Sequence, residues 1–470
     1  ENLQSEGLYY IDLLDAGDLA SDPINTEDIW VSFDFSGRDL SGNIILTRNA
    51  DDAVLAGSFS KYTHYVPFYR YCGSENSGLM EGTWLAMRRT LTLGDTYFRN
   101  NKDRLGITSP EVTLRYGSKI RLYMPSSVVG NGVEGTGGYE GQEGYSLSSK
   151  RPFIVTMEIR DTVSNPLERE GTDVDDFCEL NGGLQIYSKG DDDTPATEVP
   201  EDPEDPEHPY SETSTRWVSA CDSIPQVYVN VRYNPAEPGD QLSFPAPYHV
   251  GYEPYVSEAS VRDIDMQIAE ALKKRFHGEG DDYEKYEGVK TLEADSVTLE
   301  GTAKIWYIGR FLDGFIFDTN IDEVKKIIYG EVAQTGTALE YTPSSGGMIQ
   351  AFYYAIPNLK FGQWAELITT STNAYGSSGK SGSSSSSTSG SSGYSSSYLD
   401  YLNYLNYANG YYGSGGYYGG YYGSYYGGYY DSMYGSGYDS SSTGTTVTTI
   451  TTEIPSFTPL IFQLYIEPED

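Results

Sequence analysis

The segment Ser377–Thr452 limits what this chain can fold into more than any other feature. It opens Gly/Ser-rich, becomes Tyr/Gly-rich from Tyr411 (YYGSGGYYGGYYGSYYGGYYDSMYGSGY) and ends in a Thr-rich run. That composition lacks the aliphatic side chains a core needs and reads as low complexity. Yet Leu460–Ile466 (LIFQLYI), patterned as a strand, lies beyond it. The chain must therefore leave a sheet, carry an insertion, and return to the same sheet. Of the 44 Tyr, 17 lie between Tyr394 and Tyr438, so the Tyr excess belongs to the insertion and does not describe the cores.

The chain has 470 residues, enough for two or three domains. With 31 Lys and Arg against 68 Asp and Glu, its net charge of −37 argues against a nucleic-acid partner. No run of 18 apolar residues offers a membrane span. The sequence starts at Glu1 and is expected to be a processed form that carries no signal peptide, with a polar, acidic tether over 1–25. Cys72, Cys178 and Cys221 lack metal-binding spacing. Cys178 and Cys221 flank an acidic stretch, and both a disulfide and isolated buried thiols are compatible with that placement.

Alternation of apolar and polar residues predicts strands at Trp30–Phe35, Lys119–Met124 and Phe153–Ile159, with a short helix over Gly78–Arg88. Asp191–Pro209 is acidic and Pro-rich and reads as an extended linker, with strands expected at Leu184–Tyr187 and Gln226–Tyr233. Ser257–Phe276 has a helical stripe of Val261, Ile264, Ile268, Ala271 and Leu272, with Ser257 or Ser260 as N-cap and Gly278 as stop. From Val297 the first pattern returns: strands through Asp318, a helix at Gly347–Ile356, then strands at Gln363–Ile368 and Leu460–Ile466. The halves read as divergent copies of one α+β domain. Asp173, Asp175 and Asp176, and Glu279, Asp281 and Asp282, lack the spacing of a Ca²⁺ loop and read as solvated acidic turns. The four His are scattered and form no ligand pair.

The second copy carries Tyr307, Gly309, Asp313, Gly314, Phe317 and Asp318 in the spacing Y-x-G-x-x-x-D-G-x-x-F-D, and in this pattern it resembles the FKBP-type peptidyl-prolyl isomerases. The helix start appears as Met348, Ile349, Gln350, Ala351 and Phe352, and the next strand as Phe361, Gly362, Ala365 and Leu367. The A-Y-G signature is Ala374, Tyr375 and Gly376, and the closing strand carries Ile454, Pro455, Leu460 and Phe462. The first copy is similar but fainter. Phe35, Gly37, Ser41 and Gly42, then Gly78–Gly82, Gly94, Gly117–Pro125 and Phe153–Ile159, follow the same order. Ile45 and Leu46 replace the Phe-Asp pair, Thr83 replaces the floor aromatic, and Val129 stands for the Tyr. That copy is expected to be non-catalytic.

The resemblance implies an α+β fold with two FKBP-like domains, each an antiparallel sheet wrapped around a short helix. The degenerate domain would span 26–165 and the acidic linker 166–256. A helix would follow over 257–280, then the second domain over 281–470, interrupted at 377–452. It assigns Tyr307, Phe317, Asp318, Ile349, Phe352, Tyr375 and Phe462 to catalysis, and Met348 and Ile454 to substrate binding. Phe352 stands where the family usually has Trp. No cofactor and no metal are implied. The expected partners are proline-containing polypeptide clients, and the expected activity is rotamase and folding chaperone. The insertion occupies the family's flap, where it would capture unfolded chains, dock on an outer-membrane protein complex, or act as a spacer. The expected setting is the cell envelope, as an outer-membrane lipoprotein, periplasmic or surface-exposed, touching the membrane only through an N-terminal lipid anchor. The rival from another class is a non-catalytic scaffold subunit, in which the same aromatic residues are plain core.

Overall fold

The structure is a computed structural model that describes residues 10–26, 28–57, 59, 63–75, 79–129, 151–185, 216–221, 224–231, 233–235, 246–249, 258–277, 295–329, 335–343, 347–380, 383–387 and 446–468. Its elements fall into two compact units that divide between Pro166 and Leu167. Both combine sheets with short helices, so the protein is of the α+β class.

The first unit contains β1 (Tyr10–Ala16), β2 (Ile29–Arg38), β3 (Ile44–Thr47), β4 (Phe68–Cys72), β5 (Leu91–Thr92), β6 (Glu111–Val112), β7 (Ser118–Met124) and β8 (Phe153–Val163). Its antiparallel sheet has the order β1-β7-β8-β2-β3, with β4 also on β2, while β5 and β6 form a separate ribbon. Along β7 and most of β8, buried and half-buried residues alternate, as in a sheet with one face on a core. That core takes in Phe33, Phe35, Leu122, Val155 and Met157 together with Leu85 and Met87 of helix α2 (Glu81–Arg88). Helix α1 (Ala50–Ala56) is capped by the Asn49 side chain, which accepts the Asp52 N–H, and ends at Gly57 in the left-handed region. Helix α3 (Asp95–Leu105), which no sequence signal above singles out, buries little beyond Leu105.

The acidic composition of 166–256 predicts a linker, but Pro166–Leu180 is a helix, α4. Proline opens it at the position where a missing N–H costs nothing. The strands β9 (Leu184–Gln185), β10 (Trp217–Ser219) and β11 (Val227–Asn230) then enter the sheet of the second unit. Residues 186–215 lie outside the described set. The expected separate helix is α5 (Glu258–Leu272), continued by a π turn over Lys273–His277. It belongs to the second unit, where Ile268 and Leu272 pack on the sheet. Ser257 and Gly278 lie outside the described residues.

The rest is β12 (Ala303–Arg310), β13 (Ile316–Thr319), α6 (Asp322–Tyr329), β14 (Leu339–Tyr341), α7 (Gln350–Ala355), β15 (Trp364–Thr369), β16 (Ser383–Ser387), β17 (Thr446–Thr451) and β18 (Leu460–Ile466). The sheet runs β13-β12-β18-β15-β11-β10-β9, with β14 also on β12. At the ends of the expected low-complexity insertion, β16 and β17 pair antiparallel. The Tyr-rich part between them lies outside the described residues.

Both sheets share one pairing plan. β2 is flanked by β3, β4 and β8 as β12 is flanked by β13, β14 and β18. Even the irregularity repeats: the register shifts between Gly37 and Arg38 in one sheet and between Gly309 and Arg310 in the other.

The sheets differ in how their faces are covered. Every residue of β15 and β18 is buried. One face meets α7. The other face meets Val174 and Phe177 of α4, and Ile268 and Leu272 of α5 with Val324 of α6. On that second face runs a buried polar chain. Asp265 pairs with Arg310 at 2.6 Å, and Arg310 Nε donates to Gln463 at 2.9 Å. Gln463 and Asn230 donate to opposite oxygens of Glu366 at 2.9 and 3.0 Å.

The acidic residues expected in solvated turns are instead helical. Asp173, Asp175 and Asp176 sit on α4, where Asp175 accepts from Tyr228 at 2.8 Å and Asp173 binds Arg169 at 3.0 Å. Glu279, Asp281 and Asp282 lie outside the described residues. All three cysteines are free, so the bridge between Cys178 and Cys221 does not form.

Burial pushes the Glu366 carboxyl up to about 7, against the lowering effect of its hydrogen bonds. A carboxyl raised in the fold holds its proton where the unfolded chain has lost it. Its contribution to stability is therefore complete below about pH 4.5 and is lost as the pH rises through about 7. The protein should unfold at lower urea concentration at pH 8 than at pH 5. Glu366→Gln should shrink that difference by an order of 2 kcal/mol. An equal pH difference in both proteins would contradict this.

Candidate functional site

The β12–β13 hairpin builds the first half of the site. At its turn the Asp313 carboxylate accepts the Phe315 N–H at 3.1 Å, and Gly314 takes φ +88°, a left-handed conformation that favours glycine. The Gly314 N–H donates to the Phe311 carbonyl at 3.0 Å, which closes the turn. Below it, Gly309 pairs with Asp318 on β13 and with Phe462 on β18. A Cβ at Gly309 would stand 2.6 Å from the Phe317 ring, so the ring can lie over the backbone only because the side chain is absent. The Tyr307 hydroxyl donates to Asp318 Oδ2 at 2.8 Å. Tyr307 is held from its backbone as well: its N–H donates to Asn320 Oδ1 at 2.8 Å and its carbonyl accepts from Thr319 at 2.7 Å.

Phe462 is the centre of the cluster. Its ring centroid lies 5.0 Å from Phe352, 5.7 Å from Phe317 and 6.3 Å from Tyr307, all edge-to-face. Such pairs favour the positive rim of one ring against the negative face of the other. Ile454 belongs to the same buried cluster, and Met348, Ile349 and Tyr375 pack against it half-buried. The structure thus brings every expected site residue into one cluster, with Asp318 attached through Tyr307.

Ile349 is the residue before α7, with φ −63° and ψ 148°, so its N–H is not consumed by the helix. Neither the Ile349 N–H nor the Tyr375 hydroxyl makes a hydrogen bond among the described residues. Tyr375 follows the 3-10 turn Ser371–Asn373, and the Lys380 ammonium stands 5.3 Å from its ring centroid. The neck of the insertion starts beside it: Lys380 and Ile454 exchange backbone hydrogen bonds of 2.8 Å, below the β16–β17 ladder.

Sequence reading missed two rings. Phe311 lies 5.0 Å from Phe317, and Phe315 stacks on Phe311 at 6.0 Å. Both occupy unspecified positions of the hairpin pattern, so only their apolar character could have signalled them.

The corresponding place in the first unit is filled differently. Gly37 pairs with Leu46 and Val155, so Leu46 is level with Asp318, and Ile45 with Phe317. The ring over Gly37 comes from Phe153 on β8, whose Cζ would be 2.3 Å from a Cβ there. Phe35, level with Tyr307, carries no hydroxyl and is buried. Thr83 is buried, and its hydroxyl has no partner among the described residues. One expectation shifts by a residue. Met124 pairs with Phe153 as Thr369 pairs with Leu460. Counting on through the 3-10 turns Ser126–Val128 and Ser371–Asn373 puts Val129 level with Ala374. The position of Tyr375 then falls to Gly130, outside the described residues.

No family model matches the sequence, and no curated protein matches it. Solved structures similar to the chain include the three FKBP domains of wheat FKBP73, 10% identical, covering 100% of this chain and 97% of that one at a TM-score of 0.21. Another is AtFKBP13, 10% identical, covering 32% of this chain and 88% of that one at a TM-score of 0.20. Likeness at that level carries no weight beside the residues themselves.

Gly309→Ala should force the Phe317 ring off its seat, at a cost of about 1–3 kcal/mol for overpacking. Urea denaturation should show the loss, and the near-UV circular dichroism of the aromatic cluster should change. A variant as stable as the parent would mean that the ring does not rest on this glycine.

Proposed function

We propose that the second unit is an FKBP-type peptidyl-prolyl cis–trans isomerase with a folding-chaperone role, and that the first unit is a non-catalytic copy of the same domain. One observation carries this reading: rings from β12, β13 and α7 converge on Phe462 of β18, and the Tyr307–Asp318 bond closes the group. Rotation about an X-Pro bond meets a barrier of about 18–20 kcal/mol because it breaks amide resonance. No acid, base or nucleophile is needed. A site that favours the twisted, less polar amide over the planar one lowers the barrier by differential binding and desolvation. On this reading Phe317, Phe352 and Phe462 hold the proline ring, flanked by Tyr307, Met348 and Ile454. The Ile349 N–H and the Tyr375 hydroxyl are the donors for substrate carbonyls, and Asp318 stands at the edge near the amide. On this reading the protein acts in the cell envelope, on proline-containing clients.

The second reading is a non-catalytic scaffold subunit. Phe317, Phe352 and Phe462 are only 3–4% exposed, which is how core residues look. An X-Pro peptide assay separates the two. Wild type should accelerate isomerisation, and Asp318→Ala and Tyr375→Phe should each lower kcat/KM by about tenfold or more. An inactive wild type, or variants as fast as wild type, would remove the isomerase reading.

The insertion is proposed to capture unfolded chains beside the site. Replacing residues 388–445 by a short Gly/Ser loop keeps the β16–β17 ladder and removes the Tyr-rich part. Activity on a short peptide should be unchanged, and activity on an unfolded protein substrate should fall. Equal activity on both would assign the insertion a spacer role.

A further inference from the structure

The turn that carries Tyr375 is held from outside the aromatic cluster, by a residue of the segment whose composition predicts a linker. Glu170 lies on α4 and is 2% exposed. Its two carboxyl oxygens take separate bonds from one residue: Oε1 accepts the Ser371 backbone N–H, and Oε2 accepts the Ser371 hydroxyl at 2.7 Å. Ser371 is itself 1% exposed and opens the 3-10 turn that leads into Ala374 and Tyr375. The Ser371 carbonyl accepts the Ala374 N–H at 2.9 Å, so the residue gripped by Glu170 sets the path of the backbone just before Tyr375.

The approach of α4 to this turn is built into the neighbouring positions. Gly171 leaves room for the Gln226 side chain, which a Cβ would meet at 2.0 Å. The Gln226 carbonyl accepts the Thr370 N–H at 3.3 Å, at the end of β15. Gln226 takes φ +59°, a conformation that side chains other than glycine rarely adopt. Helix, strand end and turn are therefore fitted together around a buried carboxyl whose polar partner is the Ser371 turn. Burying such a group is costly without those bonds, so the turn and the helix hold each other.

We infer that Glu170 is a positioning residue for the second unit's site: by clamping Ser371 it fixes where the Tyr375 hydroxyl points. This rests on the isomerase reading for its effect on rate, but the clamp itself does not. Hydrogen exchange over 369–375 in the full chain reads the clamp, and kcat/KM on an X-Pro peptide reads its consequence. Glu170→Ala should speed exchange across the turn at least tenfold and lower kcat/KM by roughly tenfold, the scale expected for a misplaced group. Glu170→Gln should stay within about twofold of wild type on both, because an amide can accept the N–H and donate to the hydroxyl. The loss should also be non-additive with Tyr375→Phe: once the hydroxyl is gone, its placement has no effect.

If Glu170→Ala does not fold, Ser371→Ala removes one of the two bonds and should move exchange and rate in the same direction. Wild-type exchange in these variants overturns the clamp. A rate loss that adds in full to that of Tyr375→Phe, or is not rescued by Gln, overturns the positioning role. An inactive wild type ends the isomerase reading alone, since exchange still decides the clamp.

Discussion

The missing side chain at Gly309 is the constraint on which the second unit's site depends. With no Cβ there, the Phe317 ring lies down on the backbone of β12, reaches Phe462 edge-on and leaves Asp318 within reach of the Tyr307 hydroxyl. The first unit has the same glycine, at Gly37, with the same register shift beside it. There the ring that uses the space is Phe153, from a different strand. The shared backbone thus provides a seat for one ring, and the strand that supplies the ring decides what else can line the site.

The second unit supports that hairpin from behind. Arg310 follows Gly309 and points to the opposite face of the sheet, where it bonds Asp265 of α5, Gln463 of β18 and the Gly314 carbonyl at the hairpin turn. Buried charge is tolerated only when paired and hydrogen-bonded, so this chain of contacts orders α5, the turn and two strands together. The first unit has its sheet half-exposed on that side along β7. The helices α4, α5 and α6 are what make β15 and β18 buried on both faces, and they come mostly from sequence between the two repeated patterns.

The strands and the aromatic cluster were legible because their signals are local. Alternation marked β2, β7 and β8, and the Tyr307–Asp318 pattern of the family resemblance placed a hairpin whose turn needs Asp313 and Gly314 where they stand. Helix α4 was not legible. Its buried stripe runs through Glu170, Val174, Phe177 and Cys178, and the carboxylate interrupts an apolar period inside an acidic stretch. Its partner Ser371 is distant in sequence, so nothing near Glu170 announces why it is buried. The alignment of Val129 with Tyr375 slipped by one residue for a related reason. Turns have no hydrophobic period, and only strand pairing across the sheet counts them out.

The sequence by itself determined the repeated strand order, which follows from period and turn chemistry over short spans, and its resemblance to a known family pointed to Gly309 and Gly314 of the hairpin and to the rings around Phe462. The tertiary structure alone decided which ring sits on which glycine, that the acidic segment after Pro166 becomes a helix on the sheet, and that a buried carboxyl grips the turn before Tyr375. Each of these depends on groups far apart in the chain meeting in a dry interior. There, a vacant Cβ or an unpaired oxygen has a cost that no local pattern records.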